Sequence, residues 1–352
     1  MSAYESIKNI LKKAPFLYKC LCFCKDAFLA VKDRIRLFFR KIWHGLKYIF
    51  SRSYRLEQQF LSVYTERRFA PDLTIEEKKK QLRYIFYKRL GCLPDFENPE
   101  TINEKLYWLI LHYHSSLLVR CADKVDARNV MREWLGEEYL IPAIGAYDSV
   151  DAIPWDELPE KFVLKVNWGS GQNIICKNKA ELDIEEAKAK LKNWMKQENC
   201  LYYRHFEPQY EGIKPMILCE KYIEQMDGLL YDYKIHCFHG EPKFVQLNDR
   251  WGTHSGCIYD MDWHKTDLHT DFTLDERDYE KPECLDDMLR VAKIIAKNFP
   301  YCRVDLYQID HKVYFGELTF SSSAGNLHMP KKDALEWGAL LDLKKIPAKN
   351  LR

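Results

Sequence analysis

Tyr301-Cys-Arg303-Val-Asp305-Leu-Tyr-Gln-Ile-Asp310-His311-Lys-Val313-Tyr-Phe-Gly-Glu317-Leu-Thr319-Phe decides how this chain is read. Two strand-length apolar runs, beginning at Cys302 and Val313, flank the turn-forming pair Asp310-His311, as in a β-hairpin. The inward faces of two such strands can bring Asp305 and Glu317 together. Two carboxylates on neighbouring strands suit Mg2+, which takes oxygen ligands and shares them with nucleotide phosphates. Arg303 has the side-chain phase of Asp305, so its guanidinium could hold a phosphoryl group in transfer. Read alone, the same acids fit a surface ion-pair ladder equally well.

Upstream, the apolar run Phe162-Val-Leu-Lys165-Val ends in the loop Asn-Trp-Gly169-Ser170-Gly171. A lysine there reaches phosphate oxygens as a point charge, and the glycines let backbone N–H groups approach the same anion. The G-K-[ST] order of a Walker loop is absent, and a hairpin turn beside a solvated lysine accounts for the segment by itself just as well. Glu220-Lys221-Tyr222-Ile223 follows another apolar strand; its backbone could pair with an adenine edge. Asp232-Tyr-Lys234 comes next. Asp232 could accept from ribose hydroxyls, and Lys234 could face phosphates or the acceptor substrate. A charged edge strand would look the same. His236, His239, His254, His264 and His269 lack metal-ligand spacing and read as solvated or core histidines. No Gly-x-Ser-x-Gly elbow occurs, and Ser321-Ser-Ser-Ala-Gly is a polar turn with room for a phosphate contact.

With 47% hydrophobic and 30% charged residues over 352 positions, the chain has an ordinary globular balance and room for two or three subdomains. Residues 1–56 carry thirteen Lys or Arg against three acids, so the basic surplus belongs to this arm. It indicates no nucleic-acid groove across the whole protein. Between Ala27 and Phe50, Val31, Ile35, Phe38, Phe39, Ile42, Trp43 and Leu46 recur at helical spacing among Lys and Arg. Such a basic amphipathic helix either lies on an anionic membrane surface or packs its stripe on protein. No apolar run is long enough for a transmembrane helix, and no secretory leader is recognisable. The twelve cysteines form no C-x-x-C pair, and Cys20, Cys22 and Cys24 read as packing thiols. Free thiols at this density suit a reducing cytoplasm.

Residues 57–120 are helix-rich, with starts predicted at Thr74 and, through a capping-box pattern, at Thr101. A further helix is predicted over Ala122–Leu135. Beyond about residue 160, strand-length runs alternate with helical stretches at Asp183–Lys196 and Asp286–Asn298, an α/β or α+β pattern.

Taken in order, these segments resemble the ATP-grasp superfamily and, more narrowly, the TupA-like ATP-grasp family, named for teichuronopeptide synthesis. The matching phrases are Thr101-Ile-Asn-Glu-Lys, Ala122-Asp-Lys124, Glu138-Tyr-Leu-Ile-Pro, Leu158-Pro-x-x-Phe-Val-Leu-Lys165, Asp232-Tyr-Lys234, Phe299-Pro-x-x-Arg303-Val-Asp305-Leu-Tyr and Tyr314-Phe-Gly-Glu317-Leu-Thr319-Phe. The resemblance implies an α+β fold, a clamp of two antiparallel-sheet lobes preceded by a helical region. The divisions it suggests are an arm at 1–56, helices at 57–120, a first lobe at 121–218 and a second lobe with the metal site at 219–345. It implies ATP and Mg2+ as cofactors. Lys124 and Lys165 would bind phosphates beside Gly169, Ser170 and Gly171; Glu220, Lys221, Tyr222 and Ile223 would form the nucleotide hinge, with Asp232 on the ribose. Arg303 and Lys234 would be catalytic, and Asp305, Glu317 and Thr319 would hold metal. The implied reaction phosphorylates a carboxylate to an acylphosphate that an amine attacks. The implied donor is a small carboxylate or amino acid, and the acceptor is a cell-envelope glycan or its lipid-linked precursor, at the inner face of the cytoplasmic membrane. Two departures matter. Thr319 stands where many such ligases carry Asn, which puts a second Mg2+ in doubt, and the α/β domain that usually precedes the clamp is not evident, which leaves the acceptor open. A glycosyltransferase preferring nucleotide sugars and a non-catalytic ATP-binding scaffold are the alternatives.

Overall fold

The computed structural model describes residues 42–43 and 72–351, except 197–199, 201, 224–230, 249–254, 269 and the side chains of 203 and 204. The basic helix expected over 27–50 lies outside these residues apart from Ile42 and Trp43, which are helical and exposed. The Cys20–Cys24 cluster, His254 and His269 also lie outside them. The chain divides into two compact units, Met1–Glu66 and Arg67–Arg352, and the second contains both sheets and the site. Among the described residues no helix is long and apolar enough to cross a membrane, and the cysteines are free thiols.

Helix α1 (Ile75–Leu90) starts at a Thr74/Glu77 capping box and stops at Gly91 in the left-handed region, as N- and C-terminal signals of this type do. Helix α2 (Ile102–His112) starts at the Thr101/Glu104 box. The helix predicted over Ala122–Leu135 starts later, as α4 (Asp126–Leu135), and Ala122 instead ends a separate helix, α3 (Ser116–Ala122). The break has a local cause: the Asp123 carboxylate accepts from the Val125 N–H at 2.8 Å, giving the backbone a partner that competes with the helix. The N–H of Lys124 goes to the Asn167 carbonyl at 3.0 Å, so Lys124 sits at the break.

The first sheet comprises β1 (Ala143–Tyr147), β2 (Phe162–Val166), β3 (Asn173–Cys176) and β4 (Ile217–Lys221), all antiparallel in the order β1-β4-β2-β3. Phe162, Leu164 and Val166 are buried in a core shared with Ala187 and Leu191 of α5 (Ile184–Trp194). Alternation then turns Lys165 to the opposite face. A short turn of helix, α6 (Tyr202–His205), leads into Phe206-Glu-Pro-Gln-Tyr.

The second sheet has β5 (Tyr233–Phe238), β6 (Glu241–Asn248), β7 (Ser255–Tyr259), β8 (Thr273–Leu274), β9 (Tyr301–Ile309) and β10 (Lys312–Thr319) in the order β10-β9-β5-β6-β7-β8. Only the β7–β8 pair is parallel. One face buries Ile235, Val245, Val304 and Leu306 against Met288, Val291, Ala292 and Ile295 of α7 (Leu285–Ala296). Each of these Val, Leu, Ile and Met side chains contributes about 1.5–3 kcal/mol when fully buried, so this layer holds the sheet and leaves the other face to polar groups. The sequence predicts neither β1 nor β7, because Ala143-Ile-Gly-Ala-Tyr and Ser255-Gly-Cys-Ile-Tyr carry glycine and lack a clear alternation.

The hairpin that opened the sequence reading forms with one change. Asp310 and His311 both adopt positive φ, 48° and 61°, as in the primed two-residue turns that match strand twist. From the turn the register runs Lys312↔Ile309 to Phe315↔Leu306. Unbroken, it would put Gly316 opposite Asp305 and send Glu317 to the other face. A bulge between Phe315 and Glu317 instead pairs Glu317 with Asp305. A Cβ at Gly316 would lie 2.9 Å from the Asp305 carbonyl oxygen, which is why the inserted residue is glycine.

Helix α8 (Lys331–Leu340) packs on α2, and Lys105 Nζ donates to the Gly338 and Leu341 carbonyls at 2.8 Å each. A Cβ at Gly338 would approach the Glu100 carbonyl oxygen to 2.0 Å. Gly338→Ala is therefore expected to cost about 1–3 kcal/mol, the usual penalty for overpacking. Urea unfolding should show a lower midpoint at constant slope; an unchanged midpoint would mean that the two helices are not locked together.

Candidate functional site

A cavity of about 510 Å3 lies within the Arg67–Arg352 unit. Lys124, Arg128, Lys165 and Gly169 line it, as do Arg303, Glu317 and Thr319.

Glu220 organises the first group. Its buried carboxylate accepts from Lys165 Nζ at 2.7 Å and from an Arg128 Nη1 at 2.7 Å. The pairing Val163↔Glu220 and Lys165↔Leu218 makes Lys165 and Glu220 diagonal neighbours across β2 and β4. Lys124 Nζ donates to the Gly169 carbonyl at 2.7 Å and stands 3.6 Å from Glu317 Oε2. One lysine thus joins the glycine loop to the hairpin.

The second group is a cross-strand row, with Asp305 paired to Lys234 on β5 and to Glu317 on β10. Asp305 is 1% exposed. It accepts from Arg303 Nε and Nη2, both at 2.7 Å, and from Lys234 Nζ at 2.9 Å. Lys234 also bonds Asp232. Glu317 differs: its side chain is 43% exposed, and its ion pairs to Lys124 and Arg303 are long, 3.6 and 3.8 Å. Burial opposes its ionisation, but Lys124, Arg303 and Lys234 outweigh it and hold the carboxyl below its ordinary value. The site therefore combines several cations with an accessible carboxylate on the hairpin, the balance that a polyphosphate and its counter-ion require.

The TupA-like ATP-grasp family model matches residues 104–342. The chain belongs to the TupA-like ATP-grasp family. Its α+β architecture of antiparallel sheets is the ATP-grasp fold, and it is an ATP-dependent ligase. Solved structures that it resembles include D-alanine–D-alanine ligase from Bacillus anthracis, with 17% identity over 68% of this chain and 70% of that one at a TM-score of 0.38. The D-cycloserine synthetase DcsG shares 14% identity over 64% and 70%, TM-score 0.36. The ATP-grasp ligase PsnB, solved with its minimal precursor, Mg and ADP, shares 13% over 59% and 53%, TM-score 0.34. No curated protein matches the chain.

In this ATP-grasp ligase the residues singled out from sequence fall into two layers. Lys124, Lys165, Gly169, Ser170, Glu220, Arg303, Glu317 and Thr319 line the cavity. Gly171, Lys221, Tyr222, Ile223, Asp232, Lys234 and Asp305 do not. Two of these groups already have partners within the protein. Asp305 is not an open carboxylate beside Glu317, because Arg303 and Lys234 occupy both its oxygens. Glu220 and Lys221 lie within β4, which is paired to β1 and β2 on its two sides. The Lys221 N–H is also taken, by the Pro142 carbonyl at 3.0 Å. Tyr222 lies under Lys161 and Lys177, 6.0 and 5.7 Å from its ring. His236 is a core histidine bonded to Tyr301 and Gln246, and burial pushes its pKa down to about 3.

Arg128 and Glu207 were not predicted as site residues. Arg128 closes the phrase Asp123-Lys-x-x-x-Arg, which could have marked it; Glu207 lies in a polar turn with no motif. Glu207 lines the cavity, is 4% exposed, and accepts through Oε1 from Gln209 at 3.1 Å and from Ser321. Burial pushes its carboxyl up to about 7, against those two donors. The folded state then holds this proton where the unfolded chain, with an ordinary carboxyl near 4.5, has lost it. The associated stability is full below the unfolded value and is lost as pH rises through about 7, on the order of 3 kcal/mol in all. Glu207→Gln should remove this slope, matching wild type at acid pH and exceeding it at about pH 8. Parallel urea midpoints for the two proteins across that range would show that the carboxyl titrates normally.

Proposed function

We propose that this ligase joins a small carboxylate to an amine through an acylphosphate, using Mg2+-ATP, in the assembly of a cell-envelope glycan. The observation that carries the reading is the single cavity in which Lys124, Arg128 and Lys165 meet Arg303 and Glu317. Phosphoryl transfer asks chiefly for alignment and charge neutralisation, and these groups supply both. Lys124 and Lys165 hold phosphate oxygens, and Arg303 steadies the group in transfer. Glu317, with the Thr319 hydroxyl on the same strand face, would hold Mg2+, which would supply charge neutralisation to the phosphates. Among the described residues no three metal-ligating side chains cluster. The glycan acceptor rests on the family resemblance alone. The same reading gives residues 1–56 to an anionic membrane surface; vesicle sedimentation unchanged by their deletion would remove that element.

The test is ADP release from Mg2+-ATP by the full chain against panels of carboxylates and amines. Release is expected only when one of each is present. A wild-type protein that binds no Mg2+-ATP, or that prefers nucleotide sugars in a thermal-shift comparison, would overturn the reading.

A further inference from the structure

We propose that Glu207 Oε2 is the docking point for the acceptor's primary ammonium group and takes one of its protons. This rests on the ligase reading and names the amine end of the same cavity.

Three observations lead to it. Both hydrogen bonds to the Glu207 carboxylate land on Oε1, so among the described residues Oε2 has no hydrogen-bond partner, although the residue is nearly buried and lines the cavity. Its anchor, Ser321, lies two residues beyond Thr319, the last residue of β10. Glu207 thus lies further along the hairpin than the residues assigned to metal and phosphate. Finally, the charges of Glu207 and Glu317 both act on the Tyr210 hydroxyl, whose proton burial already retains. Tyr210 lines the same cavity as both acids.

An oxygen in this position calls for a hydrogen-bond donor, and a cationic one is favoured because charge-assisted bonds are the stronger. The raised carboxyl, about 7, suits a group that must accept a proton near neutrality and give it up again. The other titratable groups around it are Tyr107 of α2, kept protonated by burial, and Arg89, His205, Asp271 and His328 on the cavity wall. In the amide-forming step the amine lone pair forms the C–N bond as the acyl C–O bond to phosphate breaks. Of the two protons the nitrogen sheds, one goes to Glu207 Oε2 and the other leaves with the phosphate.

The experiment uses the full chain with Mg2+ and AMP-PNP, and follows ethylamine, acetate and ethanol as probes by saturation-transfer NMR near pH 8. Wild type is expected to bind ethylammonium in preference to ethanol, while acetate, of the donor's chemical class, reports the carboxylate end of the cavity. Glu207→Gln should lose about tenfold of that affinity, roughly one charge-assisted hydrogen bond, while binding AMP-PNP as wild type does. Equal ethylammonium binding by both proteins, or no preference for ethylammonium over ethanol in wild type, overturns the proposal. If Glu207→Gln does not fold, the pH dependence in wild type decides: ethylammonium stays charged throughout, so its binding must rise through about pH 7 as the carboxyl ionises, and a flat profile overturns the proposal. Failure of the wild type to bind AMP-PNP would instead sink the ligase reading.

Discussion

Glu220→Ala is expected to lower folding stability by about 3–5 kcal/mol, the usual cost of removing one partner from a buried ion cluster. The Glu220 side chain is 8% exposed and is the shared counter-charge of Arg128 and Lys165, which are themselves only 10% and 22% exposed. Alanine leaves two cations together with no acid between them. The loss should therefore exceed that of an exposed pair, worth about 0–1 kcal/mol. Glu220→Gln keeps the shape and part of the hydrogen bonding and should lose less. Urea unfolding measures both, and calorimetric titration with Mg2+-ATP should show weaker binding, because Lys165 is no longer held at the end of β2. A Glu220→Ala protein with the wild-type midpoint would mean that the cluster is solvated and structurally idle.

Asp305→Asn is expected to reduce ADP release about 10²–10³-fold, the range found when one preorganised electrostatic partner is lost. Arg303 is aimed by a two-point fork from Nε and Nη2 to Asp305. Asparagine can accept from only one arm of that fork, and it leaves Arg303 and Lys234 without their shared charge. Lys124 and Lys165 do not touch Asp305, so nucleotide affinity should fall far less than turnover. Comparing Kd for AMP-PNP with the ADP-release rate separates the two effects. Loss of binding with normal turnover at saturation would assign Asp305 to nucleotide binding instead of to aiming Arg303.

Much of this molecule is legible locally. Thr74 with Glu77, and Thr101 with Glu104, start helices because a hydroxyl and a carboxylate three residues apart satisfy each other's backbone N–H groups. Phe162-Val-Leu-Lys-Val is a strand because alternate residues share a face. The break at Asp123 escaped because a helical apolar pattern runs across it, and only the short hydrogen bonds of Asp123, with the pull of Asn167 on Lys124, interrupt it. Glu207 escaped because its surroundings come from Gln209 beside it and from Ser321, more than a hundred residues away.

The sequence by itself determined the alternation of strands and helices, the turn at Asp310-His311 and the order of Lys124, Lys165, Arg303, Asp305 and Glu317 that carries the family. Each is a property of side-chain phase or turn chemistry over a few residues. Only the tertiary structure decided that Glu317 faces Asp305, because one extra residue at Gly316 shifts the pairing and a one-residue shift turns every following side chain over. It also decided that Glu220 serves Arg128 and Lys165, and that Asp305 lies under Arg303 as its support. Ion pairs among groups far apart in the chain depend on which faces the packed sheets bury, and that choice is made by the whole fold.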